Sequence, residues 1–358
     1  MRRLLALPLL AIPGLVHAQG WRESAIIFAP HSTSYTLGSG ASERMIAQTA
    51  LPFVLVIPFT DRFSMDITAA YAVSDVIRGG ASVSAIKGLT DTQLRANFSL
   101  ADQNLVFTAG VNLPTGQYTI PDAQQEAAGQ IGNDFLNFPI SSMGNGFGGT
   151  GGVAYARTLG TWNLGLGGSF RKSAEFSAFS VNNSDFRFQP ADEFRFRVGL
   201  DRPVGEGQAS FGLSYSAFGE DLADTTTYST GDRIVATASW SFPVGGADLF
   251  LSGWNLYRMS GEQLGEAAPT ENVLNLNASL SLDVKDIIVQ PTVETRLWQS
   301  GGVRAGNMFN LGVRVRFGIG SFSLYPQVGY SFGTIYSTSD PSSSDVTGLR
   351  GSLTIRYR

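Results

Sequence analysis

Residues 311–332 read LGVRVRFGIGSFSLYPQVGYSF, apolar and polar side chains alternating through a glycine turn and back. A period of two sends successive side chains to opposite faces of a strand, so this hairpin has one apolar face and one polar face. Leu311, Val313, Val315 and Phe317 share the first, while Arg314 and Arg316 stand on the second. The pattern recurs along the chain. In 191–202, Phe194, Phe196, Val198 and Leu200 oppose Glu193, Arg195, Arg197 and Asp201. In 271–284, Leu274, Leu276, Ala278, Leu280 and Leu282 oppose Asn275, Asn277, Ser279, Ser281 and Asp283. In 88–100, Leu94, Ala96, Phe98 and Leu100 oppose Gln93, Arg95, Asn97 and Ser99. A chain built of such segments has to find two different solvents for its two faces.

The connections narrow the architectures that can supply them. Tight turns at Thr60-Asp61, Ala101 to Gln103, Leu159-Gly160, Pro203 to Glu206, Val244 to Gly246, Lys285-Asp286 and Gly318 to Gly320 alternate with longer stretches. Those stretches are 75–87, 117–146, 173–190, 219–230, 259–270, 299–306 and 333–346. A soluble sandwich has no reason to gather its short turns at one end, whereas a transmembrane β-barrel has short periplasmic turns and long external loops. The alternation predicts strands over 44–58, 62–74, 88–100, 104–116, 147–158, 161–172, 191–202 and 207–218. It continues over 231–243, 247–258, 271–284, 287–298, 307–318, 321–332 and 347–358, and residues 22–37 supply one more strand. The expectation is an all-β, transmembrane antiparallel up-and-down β-barrel of about 16 strands, the even number such barrels favour. The alternative is about 14 strands with residues 19–43 as an N-terminal plug.

A charged side chain facing lipid near the bilayer midplane costs about 2–4 kcal/mol, whereas a lumen can hydrate or pair it. The apolar faces are therefore expected outward, with Arg314 and Arg316 inside. A water-soluble barrel would need the reverse assignment. Aromatics near the strand ends, Trp162, Trp240, Phe242, Trp298, Phe322, Tyr330, Phe332 and Tyr357, favour the membrane, because such rings settle at lipid–water interfaces.

The first residues, MRRLLALPLLAIPGLVHAQG, place two arginines before an apolar run ending in Val16-His17-Ala18. That is the pattern of a secretory signal peptide, 1–18, cut after Ala18. Residues 19–358 are then expected to form one barrel domain in the outer membrane of a Gram-negative cell. No later stretch has the roughly 20 apolar residues of a membrane helix. With no cysteine, an exported chain relies on hydrogen bonding and burial for its stability.

The stretch 88–117, GLTDTQLRANFSLADQNLVFTAGVNLPTGQ, adds a motif to the alternation. Gly88, Asp91 and Thr92 open one strand, and the next carries Gly110 and ends in Leu113, Pro114, Thr115 and Gly116. Together with the turn PFTDRF at 58–63, this resembles the phenol-degradation meta-pathway outer-membrane family, itself loosely like long-chain fatty-acid transporters. The resemblance covers residues 45–117. It implies a barrel that passes small, rather hydrophobic or aromatic molecules, and it supplies no catalytic residues. Such barrels usually end in an aromatic residue read by the assembly machinery; this chain ends LTIRYR, with Leu353, Ile355 and Tyr357 alternating as that signal would.

On the expected lumen face stand Arg95, Arg171, Arg195, Arg197, Arg233, Arg296, Arg314, Arg316, Arg350 and Arg356, with Asp66, Glu193, Asp201, Asp283 and Glu294 as acids. They read either as a cationic passage, whose field a low-dielectric wall focuses, or as an Arg–carboxylate ladder bracing the wall. Arg95, Arg195, Arg197, Arg314, Arg316, Glu193 and Glu294 are the candidate pore-lining residues. The longest loop, 117–146, carries Ile131, Phe135, Leu136, Phe138, Ile140 and Met143, unusually apolar for an exposed connection. It either folds inward as a constriction, with Phe135, Phe138 and Met143 as a patch that meets solutes, or packs on its external neighbours.

Enzymatic readings fare poorly. His31 is the one histidine after the expected cleavage site, and its neighbour Ser32 does not establish the geometry a base and nucleophile need. No metal or cofactor is expected, and the glycines from Gly144 to Gly152 lead into a strand where a phosphate loop needs a helix. A net charge of −4 and acidic loops argue against nucleic acid. The expected function is passive uptake of small, rather hydrophobic or aromatic molecules. A general or anion-preferring porin, and a structural or surface-binding barrel without an open pore, are the alternatives. The expected partners are outer-membrane lipid and lipopolysaccharide, the barrel-assembly machinery and the small-molecule solutes.

Overall fold

The computed structural model describes residues 24–100, 104–181, 184–263, 265–336 and 343–357. The expected signal peptide and the turn at Ala101 to Gln103 lie outside them. Sixteen antiparallel strands follow one another around a closed barrel. Strand β1 runs in two pieces, Ala25–Phe28 and His31–Leu37, and is followed by β2 (Arg44–Thr60) and β3 (Phe63–Arg78). Strand β4 is also in two pieces, Ala81–Leu89 and Thr92–Leu100. Then come β5 (Leu105–Leu113), β6 (Gly148–Leu159), β7 (Trp162–Ser173), β8 (Glu193–Val204), β9 (Gly207–Phe218), β10 (Arg233–Val244) and β11 (Ala247–Arg258). The ring is completed by β12 (Glu271–Val284), β13 (Ile287–Ser300), β14 (Val303–Ile319), β15 (Phe322–Tyr336) and β16 (Ser343–Tyr357). The last strand pairs with both pieces of β1, setting Ile26 opposite Tyr357 and Tyr35 opposite Gly348. Residues 25–37 are thus part of the wall, which overturns the fourteen-strand alternative with its N-terminal plug.

In two stretches expected as loops the wall strands themselves run on to a tight turn. Within 75–87, β3 and β4 continue to a turn at Gly79 and Gly80 (φ 57° and 81°); within 299–306, β13 and β14 continue to Gly301 and Gly302 (φ 58° and 80°). A glycine pair in the left-handed region closes a two-residue hairpin whose twist matches the flanking strands, so the ladder runs on to the tip of each hairpin.

The faces follow the alternation. Leu311, Val328 and Phe196 are 52%, 55% and 57% exposed on the outer wall. Near the short turns Trp240 packs on Phe242 (4.3 Å) and Phe322 on Tyr357 (5.1 Å); towards the long loops Phe170 meets Phe194 (4.7 Å) and Phe309 meets Phe332 (5.8 Å). An apolar band between two aromatic girdles, on a ring of strands that satisfies its own backbone, is a transmembrane barrel. Trp298 belongs to neither girdle. It lies on the lumen face of β13, where it packs beneath the 117–146 segment.

The main buried cluster lies inside the barrel. Lumen-face residues Tyr35, Ile46, Ala72, Val76, Ile86 and Met308 pack against Ala127, Ile131, Phe135, Leu136, Phe138 and Met143 of the 117–146 segment.

Candidate functional site

The 117–146 segment folds inward. It contains one helix, α1 (Asp122–Ile131), whose sequence DAQQEAAGQI is rich in helix formers, starts with an acid that suits the helix dipole and stops at Gly132. The helix lies against β4: the Ser84 hydroxyl donates to Ala123 O (2.7 Å) and accepts from Ala127 N (3.2 Å). Beyond it, the Asn133 side chain accepts from the backbone N–H groups of Phe135 and Leu136 (2.8 and 3.2 Å) and shapes the tip.

The tip is clasped by the far wall. Arg296 of β13 donates to Phe135 O (2.5 Å), Arg258 of β11 pairs with Asp134 (2.5 Å), and the Phe135 ring stacks on Trp298 with centroids 5.4 Å apart. Gly306 of β14 makes room for that ring, since a Cβ there would lie 3.1 Å from Phe135 Cζ. On the near side, Gln48 of β2 receives Ile140 N–H (2.9 Å) and donates to Ile140 O (2.7 Å), and Phe138 meets Tyr35 edge-on at 5.5 Å. The segment leaves the wall at β5 and reaches β13, halfway round the sixteen-strand ring, so it spans the lumen.

Under the tip sits a closed charge network. Glu294 accepts from Arg296 (2.6 Å) and Asn275 (2.6 Å) and pairs with Arg350 (3.4 Å), which also donates to Tyr35 Oη (3.1 Å). Arg296 is 1% exposed. Burying that charge is tolerable only because its partners are in place.

The wall from β8 to β11 is different. Arg195 of β8, Ser216 of β9, Arg233 of β10 and Arg258 of β11 stand in register across adjacent strands. Glu193 accepts from Arg195 (2.8 and 2.5 Å) and lies 3.4 Å from Arg171. Arg197, two residues further along β8, makes no ion pair or hydrogen bond among the described residues. Arg171, Glu193, Arg195 and Arg197 border a recess of about 390 Å³ whose wall is thinned by glycines such as Gly110, Gly148, Gly152 and Gly167. Arg95 lines the same recess. Among the described residues no group of three or more His, Cys, Asp or Glu is placed to hold a metal ion.

The residues singled out from sequence therefore divide. Arg95, Arg195, Arg197 and Glu193 gather around the recess. Arg314 and Arg316 lie elsewhere on the lumen face, on β14, where Arg314 donates to Gln327 (2.9 and 3.2 Å) and Arg316 sits 5.7 Å from the Tyr325 ring centroid. Glu294 belongs to the closed network. Phe135, Phe138 and Met143, expected as a solute-facing patch, are 1%, 5% and 2% exposed and anchor the segment instead. His31 and Ser32 point to opposite faces of β1, and the Ser32 hydroxyl lies 3.4 Å from that of Thr49, so they form no dyad. Sequence reasoning missed Gln48 and Arg258 as partners of the segment, and Asp134 as the acid that meets Arg258. The available signal was the run RMIAQTALP in β2, where Ile46 and Ala50 on the lumen face and Met45, Ala47 and Leu51 on the other make both faces largely apolar.

No family model and no curated protein matches the sequence, so the likeness of 88–117 to the phenol-degradation family rests on its motif alone. Among solved structures, the chain is similar to a bacterial polysaccharide outer membrane secretin at 8% identity and a TM-score of 0.48, over 93% of this chain and 98% of that one. It is similar to OprB of Pseudomonas putida at 12% identity and a TM-score of 0.45, over 95% and 96%. The anion-selective porin from Comamonas acidovorans gives 13% identity and a TM-score of 0.43, over 94% and 99%. At these values any reading of function rests on this chain's own residues.

Proposed function

We propose that the protein is a passive diffusion channel of the outer membrane that prefers small anions, with the 117–146 segment setting the width of its bore. The observation that carries this reading is the row Arg195, Arg233 and Arg258, flanked by Arg171 and Arg197. Five guanidiniums there face two carboxylates, Glu193 and Asp134. Beside a low-dielectric wall, an excess of fixed positive charge concentrates anions and repels cations. Arg197, without a hydrogen-bond or ion-pair partner among the described residues, is available to a passing solute. A bracing role for arginine also has support, but in another place: the enclosed Glu294–Arg296–Arg350 network. A preference for hydrophobic or aromatic solutes lost its contact patch when Phe135, Phe138 and Met143 turned out to be buried. Export by the 1–18 signal peptide, insertion by the barrel-assembly machinery and an outer surface bathed in lipid and lipopolysaccharide belong to the same proposal.

The test is the reversal potential of the folded protein in a planar bilayer under a KCl gradient. It should lie on the chloride side and move towards zero in the double variant Arg195→Ala/Arg197→Ala. An unselective or cation-preferring current would overturn the anion reading, and absence of current would favour a barrel without an open pore.

A further inference from the structure

We propose that Asp91 is the latch that holds the 117–146 segment across the lumen, and so the positioning residue of the constriction. Its effect on flux rests on the channel reading above; its effect on the position of the segment does not. Strand β4 is interrupted after Leu89 and resumes at Thr92. The interruption is held in the wall by Thr90, which donates N–H to Ala70 O (2.7 Å) and accepts Ala70 N–H at its hydroxyl (3.0 Å). It turns the Asp91 carboxylate into a site where only 7% of the residue is exposed.

That carboxylate accepts three hydrogen bonds: Gly116 N–H at 3.0 Å, Asn145 N–H at 2.6 Å and the Asn112 side-chain amide at 2.8 Å. Gly116 is where the chain leaves β5 and Asn145 is where it returns towards β6. One side chain therefore ties both feet of the inward segment. Thr115 adds a second tie, accepting Thr92 N–H (2.8 Å) and donating to Thr90 O (3.1 Å). The close approach explains the glycine at 116, where a Cβ would lie 2.7 Å from Asp91 N and 2.8 Å from Thr90 C. The same is true at Gly144, where a Cβ would lie 3.0 Å from Asp91 Oδ1. The spaced motif of Asp91-Thr92 and Thr115-Gly116, which the anion reading does not use, is accounted for as the two halves of this latch. A carboxylate bonded to backbone N–H groups in a site shielded from water is a strong tie, and its loss frees both feet at once.

The test uses Ile46→Cys as a reporter in a chain that has no native cysteine. Ile46 is 0% exposed beneath the segment, so a water-soluble maleimide reaches it only when the segment lifts. In the folded full-length protein, Asp91→Ala should raise the labelling rate about tenfold or more, the shift expected when a charged hydrogen-bond acceptor is lost. Gly116→Ala should do the same by sterics alone. In a parallel sample that keeps Ile46, an oxidised disulfide between Ser84→Cys and Ala127→Cys, which pins α1 to β4, should return the conductance of the Asp91→Ala channel to the wild-type value. Labelling that stays at the wild-type rate in both latch variants overturns the proposal. So does failure of both to form a barrel, since Asp91 would then hold the wall and not the segment. Raised labelling with unchanged conductance keeps the latch and sinks the reading in which the segment sets the width of the bore.

Discussion

The lumen faces of β2 and β3 and those of β8 to β10 belong to one barrel and carry opposite chemistry. On the first pair, Ile46, Ala50, Ala72 and Val76 are each 0% exposed; on the second group, Arg195, Arg197 and Arg233 border the recess or its arginine row. Strand length differs as well, with 17 and 16 residues in β2 and β3 against 12 in each of β8, β9 and β10. Facing inward does not by itself decide polarity. What fills the lumen at that height does: a folded segment on one side, and space for water and solute on the other. The taller strands supply the wall on which the segment packs, and apolar residues such as Ile46, Ala50, Ala72 and Val76 stand on their lumen face where the segment covers it.

Three substitutions sharpen or break this contrast. Glu294→Ala, on the packed side, should cost about 3–5 kcal/mol, because it leaves the Arg296 and Arg350 guanidiniums enclosed without their acid. The measurement is the denaturant midpoint of the barrel refolded in micelles. Ile46→Ala should cost about 2–4 kcal/mol by the same measurement, since it opens a void between wall and segment. Arg197→Ala, on the open side, should change stability by no more than about 0.5 kcal/mol while shifting the reversal potential towards zero. A stability loss at Arg197 as large as that at Glu294 would erase the distinction between the two walls.

Much of the wall was legible. Over 193–201 of β8, 274–283 of β12 and 309–317 of β14 apolar residues alternate with polar residues or glycine, so a period of two was enough to assign both faces. Loop lengths were less so: 75–87 and 299–306 look polar enough for loops, yet a glycine pair at the tip lets each continue as strand. The direction of the 117–146 segment was left open because its apolar residues suit either an external pack or an internal one. Only the partners decide, and Gln48, Trp298 and Arg296 come from strands far away in sequence. Trp298 was misassigned for a related reason. Near a strand end an aromatic ring suits a membrane interface, and its lumen-side partner, Phe135, sits in a segment whose direction the sequence did not reveal.

The pairing of Ile26 with Tyr357 has a consequence for how the molecule is made. The first strand waits for the last, so every partly built intermediate carries two raw sheet edges with unpaired backbone groups. Such edges invite pairing with other chains, and contacts between such distant residues form slowly. A chain with this topology needs its borders guarded until the ring is shut, and that need ends only when the final strand arrives.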